Sequence, residues 1–366
     1  MSFRVQKLET RIVDHRLRAD RVIVSHAGRH DSSRFLIVTA HGNGGARGYG
    51  EAATTPLWSG ETAETARCAI EHLFMPRLAG HAFDHPREAL ALMEQSAYGN
   101  AFAKSAIDTA LWDLWAREQG VPAVKLFADR APLLSIPTRA SVGAYGVTET
   151  VRLAVDFWNA GIRTLKFKIG LAAFNDAARL SAVRERLGNA PVFTVDANGA
   201  YTTLDAAVSA IEALLPYDVA LVEQPVPRER LSLLAQVRKR VKAPIMVDEG
   251  VFSPPQLAEA LDLDAFDILS IYPGKNGGIT HAIDMAGTAQ RAGKTCAIGC
   301  NLETDLGQAA MAAVAAGLAV FPVDKLACDL PAAIFYESSS VRQPLRFENG
   351  RVQVPSGNGF GVEPLE

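Results

Sequence analysis

Charged residues recur at an even pace through the second half of the chain, each just after a short apolar run. They are Lys166-Phe167-Lys168, Asp196-Ala197-Asn198, Glu223-Gln224-Pro225, Asp248-Glu249-Gly250, Lys275 within Tyr272-Pro273-Gly274-Lys275-Asn276-Gly277-Gly278, and Glu303 within Cys300-Asn301-Leu302-Glu303. One residue from each gives 168, 196, 223, 248, 275 and 303, at intervals of 28, 27, 25, 27 and 28. That interval is one strand-plus-helix unit. It predicts six charges in one ring at the C-terminal mouth of a parallel barrel, where barrel enzymes keep their chemistry.

Three of the six, Asp196, Glu223 and Asp248, are acids on consecutive strands. Converging carboxylates repel unless a cation lies among them, and an all-oxygen set points to Mg²⁺, with Mn²⁺ as the alternative. Taken singly, each acid reads equally well as a helix cap or a partner for a nearby lysine; the shared period favours the joint reading. Lys168 on strand two and Lys275 on strand six stand four strands apart in a ring of eight and are expected to face each other. An amine beside a divalent cation and a second ammonium gives up its proton more readily, so Lys168 is the expected base, with Lys166 as the extra positive charge. Two lysines bracketing a metal could remove a proton from one face of a carbon and return it on the other.

The elements that must hold this ring are legible as apolar runs at 136–142, 164–169, 192–195, 219–222, 245–247, 268–271, 295–298 and 318–323. Helical segments lie between them, for example 172–187, 203–215, 228–241 and 278–292. This alternation predicts a (β/α)8-type, TIM-like barrel over residues 131–335. An open doubly wound sheet is the alternative, but no G-x-G-x-x-G follows any strand. Residues 1–130 read as an α+β capping domain, β-rich at 21–24 and 35–39 and helical from 61 onward. In the tail, 336–366, two short strands flank Asn349-Gly350, a hairpin expected to return to the N-terminal sheet and complete the cap.

Composition narrows the function classes. With 366 residues, 48% hydrophobic and 21% charged, the chain is globular rather than disordered or fibrous. A net charge of −3, from 37 basic and 40 acidic residues, gives no basic excess for nucleic acid. The first residues lack a signal-like apolar core, and no run approaches the roughly 18 apolar residues of a membrane span, so a cytoplasmic location without membrane contact is expected. Cys68, Cys296, Cys300 and Cys328 form no C-x-x-C pair.

The K-x-K at 166–168, D-x-N at 196–198, E-Q-P at 223–225, D-E at 248–249 and G-K-N-G-G at 274–278 together resemble the muconate lactonizing subgroup of the enolase superfamily. Gly48-Tyr49-Gly50-Glu51-Ala52 and the stretch Ala106 to Leu114 resemble that family's capping domain. The resemblance implies Lys168 and Lys275 as acid/base pair, Asp196, Glu223 and Asp248 as Mg²⁺ ligands, and Asn198, Glu249, Asn301 and Glu303 as supporting residues. It implies a small-molecule carboxylate substrate, loss of its α-proton through an enediolate, and a homo-oligomer; the Ala-rich helix near 311–317 is expected to offer apolar surface for assembly. Racemisation, epimerisation or cycloisomerisation would follow, with elimination of the dehydratase or o-succinylbenzoate-synthase kind as the alternative. The mandelate-racemase-like branch needs a His-Asp dyad, but seven of eight histidines lie at or before residue 85. Two departures stand out. Asp329-Leu330-Pro331 lacks the second acid of the D-x-D with which dipeptide epimerases bind an ammonium, and Tyr272-Pro273-Gly274 is not the usual apolar lead-in to a lysine.

Loops closing from the cap are expected to set specificity: 25–31, where His26, Arg29 and His30 could meet an anion, and 55–60, where Trp58 could pack on substrate. Two other classes compete. A Schiff-base aldolase on Lys168 or Lys275 leaves the three acids unexplained, and a non-catalytic barrel leaves the whole ring unexplained.

Overall fold

A computed structural model describes residues 2–366. The N-terminal part opens with a meander of three antiparallel strands, Lys7–Arg16, Ser32–His41 and Arg47–Thr54, the middle one in the centre. Phe35, Leu36, Ile37 and Val38 are all buried, so the central strand is covered on both faces. The helix Ala101–Glu118 lies on this sheet and is buried along most of its length. Glycine makes that approach possible. A Cβ on Gly50 would fall 2.0 Å from the Ala106 carbonyl oxygen, and one on Gly48 would fall 2.1 Å from that of Ala110.

The same helix ties the cap to the barrel. Its first turn is held by Glu61, whose carboxylate accepts from the backbone of Phe102 (3.0 Å) and Ala103 (3.1 Å), a favourable place for negative charge. Asp108 accepts from the Thr280 backbone N–H (2.9 Å) and hydroxyl (2.8 Å), at the start of the barrel helix Ile279–Arg291.

Seven parallel strands follow: Arg139–Val142, Thr164–Lys168, Val192–Asp196, Val219–Glu223, Ile245–Val247, Ile268–Ile271 and Thr295–Ile298. They pair in strict chain order, which excludes the doubly wound sheet with its reversal at a switch point. The eighth expected strand, 318–323, is not one. Pro322 has no N–H for a ladder, and the run folds into turns. Residues 327–329 take its place: Cys328 O accepts from Arg139 N–H (2.8 Å) while Asp329 N–H donates to Ile298 O (2.9 Å), joining the seventh strand to the first.

The predicted hairpin forms, Phe347–Glu348 against Arg351–Gln353, with Asn349 and Gly350 both at positive φ as a two-residue turn requires. Its partner is not the N-terminal sheet. Arg351–Gln353 pairs with Ser135–Pro137, setting Val352 opposite Ile136, both buried, so the run 136–142 divides between this small sheet and the first barrel strand. The residues beyond the hairpin reach the cap. Ala123 N–H donates to Gly359 O (2.7 Å), and Asp113 accepts from the backbone of Phe360 (2.6 Å) and Tyr49 (3.0 Å).

The Ala-rich helix Asp305–Gly317 is buried almost throughout, so it packs inside the fold and presents no free apolar face for assembly. Among the described residues no helix is long and apolar enough to cross a membrane. Gly50→Val should lower stability by at least about 1–3 kcal/mol, the range for overpacking a tight contact, read as a lower urea midpoint.

Candidate active site

Lys168, Asp196 and Glu223 are the last residues of barrel strands two, three and four, and Asp248 directly follows strand five. Alternation along a barrel strand turns every second side chain inward, so Lys166 shares the inner face with Lys168 one layer deeper. In that lower layer Lys166 Nζ lies 2.7 Å from Asp329, 3.5 Å from Glu223 and 3.6 Å from Asp196. Arg139 reaches Asp329 at 2.8 Å and Glu223 at 3.3 Å. In the upper layer Lys168 Nζ donates to Asp196 Oδ2 (2.6 Å) and Asn198 Oδ1 (2.9 Å). Three non-glycine residues of these rim loops, Asn198, Gln224 and Leu302, hold positive φ (44°, 37° and 56°). Such backbone costs on the order of 1–3 kcal/mol each and clusters at functional sites. Gln224 uses it to accept from the backbone of Asp248 (3.0 Å) and Gly250 (3.1 Å), fixing the loop after strand five.

Burial and charge act against each other here. Burial pushes Asp196 up, but the ammoniums of Lys168 and Lys166 outweigh it and hold the carboxyl low. Asp329, despite burial, is held at about 2 by Arg139 and Lys166. Lys166 is pulled down by burial and more strongly raised by Asp329 and Glu223, so it stands as a fixed cation. Glu223 is pushed up to about 7, by burial and then by Asp196 and Asp248 against the pull of Lys166 and Arg139. Glu249 goes well above the carboxylate range through burial and repulsion from Asp248 and Asp196.

Lys275 does not line the cavity. It is wholly buried, with all three ammonium donors engaged: Asp248 O (2.9 Å), Asp248 Oδ1 (2.9 Å) and Ser270 O (2.7 Å). The residue lining the cavity on that side is Tyr272, whose ring covers the Lys275 amine at 4.9 Å. A positional rule in the sequence could have found it. Lys168, Asp196, Glu223 and Asp248 end their strand or follow it directly, as Tyr272 follows Ile271; Lys275 lies four residues past that strand, inside the turn Pro273–Asn276.

The cavity, about 130 Å³, is lined by Lys166, Lys168, Asp196, Asn198, Asp248, Tyr272, Cys300 and Asn301 below and by cap residues above. Residues 25–31 are not a free loop: Ile23–Ser25 and Gly28–His30 pair as a hairpin over the mouth. His26 is exposed and does not line the cavity, because it sits in the hairpin's turn. Arg29 lines the rim with its guanidinium drawn 3.4 Å from Asp31, whereas His30, half-buried, lies inward and bonds Ser33 (2.6 Å). Trp58 stacks on Tyr272 with ring centroids 5.8 Å apart. Asn301 is fixed by Ala53 O (2.5 Å) and the Thr55 hydroxyl (3.3 Å) of the cap. Glu303 Oε2 accepts from Asn301 N–H (2.9 Å), and its buried Oε1 has no partner among the described residues. A larger groove of about 820 Å³ runs over the outer face of the capping sheet, past Arg11, Arg47, Glu71 and Arg342, and shares none of these residues.

As the side chains stand, no three His, Cys, Asp or Glu residues among the described ones are arranged to hold an ion, because the acids turn to lysine partners. The donor set nevertheless suits a hard cation. Asp196, Glu223 and Asp248 offer only oxygen, and Glu249 Oε2 is buried with no hydrogen-bond partner among the described residues. Burial, and then like-charge crowding, raise Glu223 and Glu249, and a divalent cation would relieve the crowding.

Residues 149–366 match the model for enolase C-terminal domain-like proteins, and residues 7–128 match that for the mandelate racemase / muconate lactonizing enzyme N-terminal domain. Muconate cycloisomerase 1 of Rhodococcus opacus is 30% identical over 90% of this chain and 88% of its own. L-Ala-D/L-Glu epimerase of Bacillus subtilis is 30% identical over 90% and 89%, and o-succinylbenzoate synthase of the same organism 27% over 90% and 86%. A dipeptide epimerase from Enterococcus faecalis, solved with Mg and L-Leu-L-Tyr, superposes with a TM-score of 0.90 at 28% identity, over 98% of this chain and 99% of that one.

Burial raises Glu303 from 4.5 to about 8. A raised carboxyl favours the folded state's protonated form, so it costs nothing below about 4.5 and progressively more until the pH passes about 8. Metal-free protein should therefore lose stability across that window. Glu303→Gln, which removes the titrating group, should flatten the decline by up to about 1.4 kcal/mol for each step of one in pH, followed by urea unfolding at stepped pH.

Proposed function

The chain belongs to the enolase superfamily, in its mandelate racemase and muconate lactonizing branch, and from that premise we propose that it removes the proton α to a carboxylate of a small-molecule substrate, with Lys168 as base and Mg²⁺ as cofactor. The observation that carries this reading is the place of Lys168: a cavity-lining amine at the end of a strand, 2.6 Å from Asp196, at the edge of a ring of buried acids. Asp196, Glu223 and Asp248 would hold the metal, with Glu249 beside them. When bound, Mg²⁺ supplies the positive charge that stabilises the negative charge developing on the substrate carboxylate.

The chain's own groups do the rest. Lys168 Nζ, as the free amine, takes the α-proton, and Asn198 Oδ1 and Asp196 orient it. Lys166, locked to Asp329, contributes fixed positive charge beneath the reacting carbon. The cap hairpin at 23–30 and Trp58 cover the mouth and keep water from the carbanion.

An isomerase outcome, racemisation, epimerisation or cycloisomerisation, is the first reading, in line with the similarity to the cycloisomerase and the epimerase. Elimination of water is the second, favoured by the unlike side chains, an amine and a phenol, on the two walls. A free dipeptide is not the expected substrate: Asp329 is engaged with Lys166 and Arg139, and Pro331 stands two residues on.

Two measurements check this. Incubated with Mg²⁺ in D₂O against N-acyl amino acids, dipeptides, proline derivatives and muconates, the protein should exchange the α-proton of at least one carboxylate, by NMR. EDTA should abolish the exchange, and Lys168→Ala should slow it by about 10²–10⁴-fold. Mg²⁺ should raise the melting temperature of the wild type and not that of Asp248→Ala; silence across the panel together with no Mg²⁺ response would sink the reading.

A further inference from the structure

A chain of hydrogen bonds runs from the cap side of the cavity into the barrel rim. His30 Nε2 lies 2.6 Å from Ser33 Oγ, Ser33 Oγ lies 3.0 Å from the Tyr336 hydroxyl, and that hydroxyl donates to Leu302 O at 2.5 Å. Ser33 and Tyr336 are buried, one on the central strand of the capping sheet and the other just past the short helix Ala332–Phe335, and Leu302 is one of the rim residues at positive φ. The far end sets the direction of every proton. A carbonyl only accepts, so Tyr336 spends its one proton on Leu302 O and can only accept from Ser33; Ser33 spends its own on Tyr336 and can only accept from His30. His30 Nε2 therefore carries hydrogen. Burial lowers the pKa of this ring against a smaller upward pull from Asp31, so it holds one proton and not two, and Nδ1 is left as a bare lone pair. Nδ1 makes no hydrogen bond among the described residues and is not one of the unpaired polar atoms sealed from solvent, and the ring borders the cavity that Lys168 lines.

Resting on the function proposed for Lys168, we propose that His30 is a specificity-determining residue that accepts a hydrogen bond at Nδ1 from an N–H or O–H of the substrate, so that the site selects carboxylates carrying such a donor. The chain enforces the selection. A histidine free to move its proton between its two nitrogens serves donors and acceptors alike. With Nε2–H tied to Ser33, turning Nδ1 into a donor requires breaking that link or adding a second proton to a half-buried ring. An anion set against Nδ1 would meet a lone pair, and an ester oxygen in place of the N–H would leave that lone pair without a partner. The sequence offered His30 as the partner of an anion; the polarity of the chain reverses the sign of that contact.

The test uses the full-length protein labelled with ¹⁵N-histidine, and its first arm needs no turnover. At a pH of about 8, above the ordinary histidine pKa near 6.5, long-range ¹H–¹⁵N NMR should show His30, assigned by the signal lost in His30→Gln, as the Nε2–H tautomer. An Nδ1–H tautomer overturns the proposal. Ser33→Ala should turn the single form into a mixture, and an unchanged signal would overturn the role of the chain. In the second arm the protein, with Mg²⁺, is titrated with N-acetyl amino acids and with the matching 2-acetoxy acids, in which an ester oxygen replaces the N–H. The amides should move His30 Nδ1 to lower frequency and the esters should not; an equal response, or none, overturns the proposal. In D₂O the amides should exchange their α-proton with a kcat/KM about 10- to 100-fold above that of the esters, the worth of one buried hydrogen bond, and His30→Phe should bring the two together. An Nδ1 shift without exchange of either acid would sink α-proton abstraction and leave the acceptor role of His30 standing.

Discussion

Charge balance in a dry barrel is the constraint on which the rest depends. Asp196, Glu223, Asp248, Glu249 and Asp329 are all buried together, against Lys166, Lys168, Lys275 and Arg139. Removing an ion from water costs several kcal/mol even after relaxation, and each pair recovers it only through close, hydrogen-bonded geometry. Five acids against four cations leave a surplus of one negative charge. Burial first, and then this surplus, press upward on Glu223 and Glu249. Arg139, Lys166 and Asp329 form a satisfied floor; the imbalance lies above it, at the face toward the cavity.

That floor joins distant parts of the chain. Arg139 comes from the first strand, Lys166 from the second and Asp329 from the segment that replaces an eighth strand, so the ion network closes the barrel where the backbone ladder is thinnest. The cap is joined to the same region through acids. Glu51, on the last strand of the meander, accepts from the backbone of Thr304 (2.9 Å), one residue beyond Glu303. Glu61 caps the central helix whose first turn brings Phe102 near Gly274, in the loop that presents Tyr272. Loop, helix and rim are therefore positioned as one piece.

Much of this was legible in the sequence, for a physical reason. Strand-plus-helix units have nearly constant length, so residues at equivalent strand ends repeat at nearly constant spacing, and the positions of Lys168, Asp196, Glu223 and Asp248 follow from arithmetic. Lys275 fits the arithmetic yet lies four residues past the end of its strand, inside a turn, and there Tyr272 rather than Lys275 lines the cavity. Tyr272 hid because a phenol does not announce chemistry as a lysine does. The run 318–323 misled because apolar composition speaks for burial, and Pro322 speaks against a ladder only once the ladder is in view. The hairpin was plain from Asn349-Gly350, while its partner depended on a tertiary contact, Val352 on Ile136, that no local signal encodes.

The aromatic stack at the mouth sets how a substrate gets in. Trp58 comes from the cap, and Tyr272 and Phe252 come from the barrel, their rings 5.8 and 5.0 Å from that of Trp58; Trp58 and Tyr272 line a space of about 130 Å³. Each aromatic pair holds with about 0.5–1.5 kcal/mol beyond its buried area. A latch of that strength gives way to thermal motion, in the range where the minor state of a two-state equilibrium holds about 0.1–10% of the molecules. The rim is a turnstile: held by contacts between cap and barrel, and free to swing without a trigger.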